Sequence, residues 1–269
     1  MLIGAMNHPA CDPVREIDWI GGHGFDFVDF TLEPPAAAAD QIDVTAIRAA
    51  LERHHLGVVA HTAYYLPLAS PFTSIRQACL AELRKALQAA HQIGAAVMNA
   101  HFDKPPKFFT DRQIVEWHTE VLGPLCEEAA GVGVTIVLEH IPFGGANQLE
   151  LIGGILQNVP SLRFHLDSGH AKLERGHDRW DDYIHWLGSK LAHVHLSDND
   201  GTADQHLPLG AIPRSTTDWP ERIGKLKASG YDGTITLEVF APEREHLLLS
   251  RDLLRKWWDE VRLNNESPP

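Results

Sequence analysis

The chain has 269 residues, 44% of them hydrophobic, and 23 Lys plus Arg against 36 Asp plus Glu give a formal net charge of −13. This length suits one α/β barrel with a full core, and the negative field repels polyanions, which disfavours nucleic acid as a partner. Three cysteines are too few for a disulfide or zinc-knuckle framework, and no apolar run approaches the roughly 18 residues that cross a bilayer, so the expected setting is the cytoplasm, away from membranes.

Strands are expected near 2–6, 25–30, 57–61, 96–101, 134–139, 162–167, 191–196 and 234–240, each rich in Val, Ile, Leu or Phe. Amphipathic helices are expected near 13–20, 41–54, 74–92, 111–130, 147–157, 178–187, 216–228 and 243–262. The helix from Ser74 should bury Ile75, Ala78, Cys79, Leu83, Ala86, Leu87 and Ala90 and turn Arg76, Glu82 and Lys85 to solvent. Gly94, Gly131, Gly133 and Gly188 fall where those helices end. Eight strand-helix units in alternation predict a single (β/α)8 TIM barrel over residues 1–263 rather than an open doubly wound sheet. The polar stretch 264–269 reads as a flexible tail.

Nearly every apolar run from the third onward ends on a His, Asp or Glu. The series is His61, His101, Glu139, Asp167, His195 and Glu238. In a barrel of parallel strands these exits converge on the C-terminal rim, where the active site is built. Two loop motifs add to them. Asp167-Ser168-Gly169-His170 places an imidazole three residues after a strand-tip carboxylate, with a glycine to let the backbone turn. Asp204-Gln205-His206 sends alternate side chains to one side of an extended segment. Taken singly, each of these residues has a plain structural role as a surface histidine, an ion-pair carboxylate or a helix cap. One cluster of oxygen and imidazole ligands accounts for all nine together, with Zn²⁺, Mn²⁺, Co²⁺ or Fe²⁺ as the expected divalent ion. His8, His23, His54, His91, His118, His165 and His193 read as polar or core residues, with His165 and His193 deeper in the barrel or behind the ligands.

The segments Leu138-Glu139-His140, Leu166 to His170, His193 to Gly201, Asp204 to Gly210 and Leu237-Glu238 resemble the xylose isomerase-like, AP endonuclease family 2 barrel superfamily. The resemblance spans nearly the whole chain. It implies a metal-dependent enzyme. In the epimerase branch a single ion is held by residues matching Glu139, Asp167, His195 and Glu238, and the two glutamates act as acid and base. In the branch of endonuclease IV type a zinc cluster also uses residues matching His61, His101, His170, Asp204 and His206, so one to three ions per chain are implied. Two positions depart from these patterns: Gly201 replaces an arginine of the ketose 3-epimerases, and Ala211 replaces a second glycine of the endonucleases.

The leading expectation is an isomerase or epimerase of a small sugar, sugar phosphate or polyol, with Glu139 and Glu238 as the proton-transfer pair. The alternative is a polynuclear phosphoesterase, and a noncatalytic metabolite-binding barrel ranks last because the ligand set is complete. Tyr64 and Phe143, with Tyr65, Phe102, Phe108 and Phe240, are candidate sugar-stacking rings. Lys104, with Lys107, Lys172 and Arg214, is a candidate phosphate contact. The assembly state is left open.

Overall fold

A computed structural model describes residues 1–174, 177–212 and 217–261. Arg214, the expected helix start at 216 and the tail 264–269 lie outside the described residues. Eight parallel strands close in sequence order: β1 (Leu2–Met6), β2 (Phe27–Thr31), β3 (Gly57–His61), β4 (Val97–His101), β5 (Thr135–Glu139), β6 (Arg163–Asp167), β7 (Leu191–Leu196) and β8 (Thr234–Leu237). The helices are α1 (Pro13–Gly22), α2 (Val44–His54), α3 (Thr73–Ile93), α4 (Asp111–Gly131), α5 (Gln148–Asn158), α6 (Ser168–Lys172), α7 (Trp180–Leu187), α8 (Trp219–Ala228) and α9 (Glu245–Glu260). The (β/α)8 barrel expected from the sequence is the fold, and every expected strand is present.

Local chemistry starts the helices where the sequence places them. Asp12 accepts from the Arg15 N–H ahead of Pro13 in the first turn of α1, and Thr110 with Gln113 forms a capping box on α4. Outward-facing strand residues such as Ile136, Leu138, Phe164, Leu166, Val194 and Ile235 are buried under the helices. The alternate, inward-facing residues are unusually polar. Asp29, Asn99, His165, His193 and Thr236 are buried, each two positions before the strand-end residues Thr31, His101, Asp167, His195 and Glu238, and His61 and Glu139 are buried at the ends of β3 and β5.

One local expectation is corrected. Ile75 and Ala78 are exposed on α3, whereas Arg76 is buried, donating to the Ser70 carbonyl at 2.7 Å and to Glu120 Oε2, with its guanidinium 5.7 Å from the Trp117 ring. Those partners on a neighbouring helix and loop satisfy the charge, which helical periodicity alone does not register. The backbone turn expected after Asp167 is made by a short helix, α6. Its Gly169 is there for a close approach, because a Cβ at that position would lie 2.8 Å from Ser197 Oγ.

Candidate metal centre and active site

Strand register sets some of the expected residues side by side and staggers others, since Glu139 pairs with His165 and His195 with Thr236. His101 pairs in register with Glu139, and Asp167 pairs with His195. One ligand atom from each of Glu139, Asp167, His195 and Glu238 can be chosen so that all four lie within 4.8 Å of one another, and the four residues are buried. His195 is the hub of this quartet. Its Nδ1 is 3.0 Å from Glu238 Oε2 and its Nε2 is 2.8 Å from Asp29 Oδ2.

The expected loop residues close around the quartet. Asp204 Oδ2 is 3.2 Å from both His170 Nε2 and His206 Nε2, and His206 Nδ1 is 3.7 Å from Glu238 Oε2. His206 adopts a φ of 47°, so the Asp204–His206 segment turns over the rim at its last residue and is not the extended strip expected. On the other side His61, His101 and Glu139 form a second compact group, with His101 Nε2 at 3.0 Å from Glu139 Oε2. All nine expected residues therefore meet at one rim. Asp167 performs two tasks at once: Oδ1 caps α6 by accepting the His170 N–H at 2.6 Å, while buried Oδ2 has no hydrogen-bond partner.

The sequence reading overlooked Asp29 and Asn99. Asp29 is fully buried, and its Oδ2 accepts from Thr236 Oγ1 at 2.8 Å and meets both His193 and His195. Asn99 donates to Glu139 Oε2 at 3.0 Å and to the space between His61 and His101. Both residues lie mid-strand, two positions short of the exit; the available signal was a polar residue inside an apolar run, on the inward face by period two. His165 and His193 stand behind the rim as expected, with His165 Nδ1 3.2 Å from Glu139 Oε2.

The electrostatics are those of a cluster built to hold positive charge. Burial opposes ionisation of Asp29 and Glu139, but the surrounding histidines outweigh it and hold both carboxyls well below their ordinary range. Burial raises the Asp167 carboxyl to about 6. Burial disfavours charge on His170 and His206, yet the neighbouring carboxylates win and raise them to about 10 and about 9. His61 moves the other way, lowered to about 4 by burial. Asp167 Oδ2, Asp204 Oδ1, His101 Nδ1 and His206 Nδ1 are buried without hydrogen-bond partners. Orphaned oxygen and imidazole acceptors in one place fit a divalent cation, because an ion satisfies them where no protein donor does. Histidine and carboxylate groups here can therefore hold a metal.

The cluster opens into a cavity of about 1110 Å³ lined by residues of the strand ends and following loops. Tyr64, Phe102, Lys104 and Phe240 line it, as expected of rim residues. Phe143 does not: it sits at a φ of 57° on an exposed turn, and its carbonyl accepts from Lys104 Nζ at 3.3 Å. Phe108 and Lys107 also stand outside the lining, and Lys172 is committed to Asp198 Oδ1 at 3.1 Å.

An uncharacterized protein of Methanocaldococcus jannaschii is 27% identical over 195 residues, covering 70% of this chain and 66% of its own length, just short of two thirds. Fructoselysine 3-epimerase of Escherichia coli O157:H7 is 23% identical over 80% of this chain and 81% of its own, and a probable endonuclease 4 of Petrotoga mobilis is 25% identical over 67% and 69%. Among solved structures, a D-tagatose 3-epimerase-like protein superimposes with a TM-score of 0.80 at 21% identity, covering 97% of this chain and 98% of that one. The family described as xylose isomerase-like TIM barrel matches residues 17–259, and the chain belongs to that family.

Proposed function

We propose that the chain is a divalent-metal-dependent isomerase or epimerase of a small sugar, sugar phosphate or polyol. The observation that carries this reading is the quartet of Glu139, Asp167, His195 and Glu238, which sets two buried glutamates at the base of a cavity that can enclose a small molecule. Its similarity to sugar epimerases supports the same reading.

The quartet would hold Zn²⁺, Mn²⁺, Co²⁺ or Fe²⁺, and such an ion supplies Lewis-acid polarisation of a substrate carbonyl or hydroxyl oxygen. Glu139 and Glu238 arrive from β5 and from the end of β8, and each is ionised by its histidine neighbours. One removes the proton from the carbon beside the carbonyl and the other returns a proton to the opposite face. His195 is fixed between Asp29 and Glu238, which keeps the Glu238 carboxylate from rotating away. Tyr64 and Lys104 line the mouth and contact the substrate there, while the ring-bearing loop at Phe143 is left out of this role. Three cysteines, all free, are in keeping with a reducing cytoplasm.

The test is turnover in deuterated water with a panel of ketoses, ketose phosphates and inososes. Substrate should gain deuterium at the carbon beside the carbonyl. Glu238→Gln should abolish the exchange while metal stays bound, since the amide oxygen can ligate but is no base. A second reading, a polynuclear phosphoesterase, is favoured by the His170–Asp204–His206 group and by the His61–His101 pair. Cleavage of abasic DNA at physiological salt without carbon-bound exchange would establish that reading and overturn the first.

A further inference from the structure

Resting on the metal-dependent reading above, we propose that His140 is the positioning residue that couples the Glu139–Asp167–His195–Glu238 quartet to the His170–Asp204–His206 group. His140 follows Glu139 directly, one position past the end of β5, and is fully buried. Its ring packs against Tyr183 at 4.2 Å and Phe164 at 5.9 Å between centroids, which holds it in one orientation.

The ring serves the quartet. The Asp167 N–H donates to His140 Nε2 at 3.0 Å, and the same nitrogen lies 3.1 Å from the Asp167 carbonyl. A buried backbone N–H aimed at a ring nitrogen needs a lone pair there, so the ring proton sits on Nδ1. Nδ1 is 3.8 Å from Glu174 Oε1, beyond hydrogen-bond length. That buried carboxylate oxygen is held in place by Gln148 Nε2 at 2.8 Å and by the Tyr183 hydroxyl. Negative charge on that side favours the same tautomer.

The main chain of the same residue serves the second group. His170 Nδ1 donates to the His140 carbonyl at 2.7 Å. A carbonyl can only accept, so a proton stays on Nδ1, and Nε2, 3.2 Å from Asp204 Oδ2, is the nitrogen left to ligate. Asp167 and His170 bracket the first turn of α6, where Asp167 Oδ1 also accepts the His170 N–H at 2.6 Å. His140 therefore grips both sides of that turn, and a shift of its ring displaces one residue of each group together.

Zinc titration of the full chain against a chromogenic chelator, with and without His140→Phe, tests the proposal. Phenylalanine keeps a ring against Tyr183 and removes the acceptor of the Asp167 N–H. Zinc affinity should fall by about 10–100-fold while the metal-free variant still melts cooperatively. Wild-type zinc affinity in the folded variant, whatever its melting temperature, would make His140 a structural residue only and overturn the proposal. Long-range proton–nitrogen correlation spectra of the imidazoles in the metal-free wild type need no variant. They should show His140 protonated on Nδ1 with Nε2 bare, and His170 with Nδ1 protonated. A proton on His140 Nε2 would overturn the proposal even if the variant failed to fold. A wild-type chain that binds no zinc would sink the metal reading and this proposal with it, whereas zinc binding without sugar turnover would sink the isomerase reading alone.

Discussion

Asp29 is placed to orient His195 from behind the rim of the candidate metal centre. A histidine that ligates through one ring nitrogen is oriented by whatever holds the other, and such supports tune affinity by about 10–100-fold. Here Asp29 Oδ2 holds His195 Nε2 at 2.8 Å and leaves Nδ1 facing Glu238. Asp29→Asn is close to isosteric, so the fold should persist while zinc affinity drops by about 10–100-fold in competition with a chromogenic chelator. Wild-type affinity in a folded Asp29→Asn variant would remove Asp29 from the metal centre. In the sequence Asp29 reads as one polar residue in Phe27-Val28-Asp29-Phe30. Nothing local distinguishes a buried carboxylate that supports a ligand from a strand-end cap, because its partners lie more than 160 positions away.

At the scale of elements, β1 and β2 pack so closely that only glycine fits between them at one point. A Cβ on Gly4 would lie 2.3 Å from the Phe27 ring, which is itself fully buried and has no room to move. Gly4→Ala should therefore destabilise the barrel by about 1–3 kcal/mol or more, read as a lower midpoint in chemical denaturation. An unchanged midpoint would mean that the ring relocates freely. The joint between α4 and the loop after β4 depends instead on a neutral histidine. Fully buried His118 is lowered from 6.5 to about 4 by burial, with Nδ1 donating to the Ile114 carbonyl at 2.8 Å and Nε2 accepting from the Asp103 N–H at 3.0 Å. Between those two pH values the unfolded chain binds a proton that the folded one refuses, so stability rises with pH there and is lost on acidification. His118→Phe should lower stability overall yet flatten that pH slope by about one proton in melts between pH 6.5 and 4. A slope unchanged by the substitution would assign the acid sensitivity to other groups, such as His61 and His140.

For the whole molecule, closing the barrel gathers buried carboxylates and imidazoles from six strand ends and two loops at one point within a chain of net charge −13. Without an ion, protons on His170 and His206 balance part of that charge, since both are raised, to about 10 and about 9. Loading metal must displace those protons, so binding should release protons and weaken as pH falls from about 9. Stripping the metal with a chelator should lower the melting temperature, and added Zn²⁺ should restore it with the logarithmic concentration dependence of a ligand bound only by the folded state. A melting temperature insensitive to metal at every pH would leave the cluster without a cation to hold.

The sequence by itself determined the architecture and most of the rim. Short apolar runs alternating with amphipathic helices point to a parallel barrel, and in that fold a residue at a strand exit can only face one end, so His61, His101, Glu139, Asp167, His195 and Glu238 were legible as a group. The loop residues His170, Asp204 and His206, which meet at the rim, were legible through their spacing, though neither loop's backbone was. Only the tertiary structure decided what stands behind and beside the rim. Asp29 beneath His195, Asn99 beside Glu139 and the burial of Arg76 on α3 depend on contacts between strands or helices distant in sequence. The turn at Phe143, which is absent from the cavity lining, depends on a left-handed backbone at a residue that rarely adopts one. Periodicity reports which face a side chain occupies; partners and cavity shape are set when the eighth strand returns to the first, and that closure is a property of the whole chain.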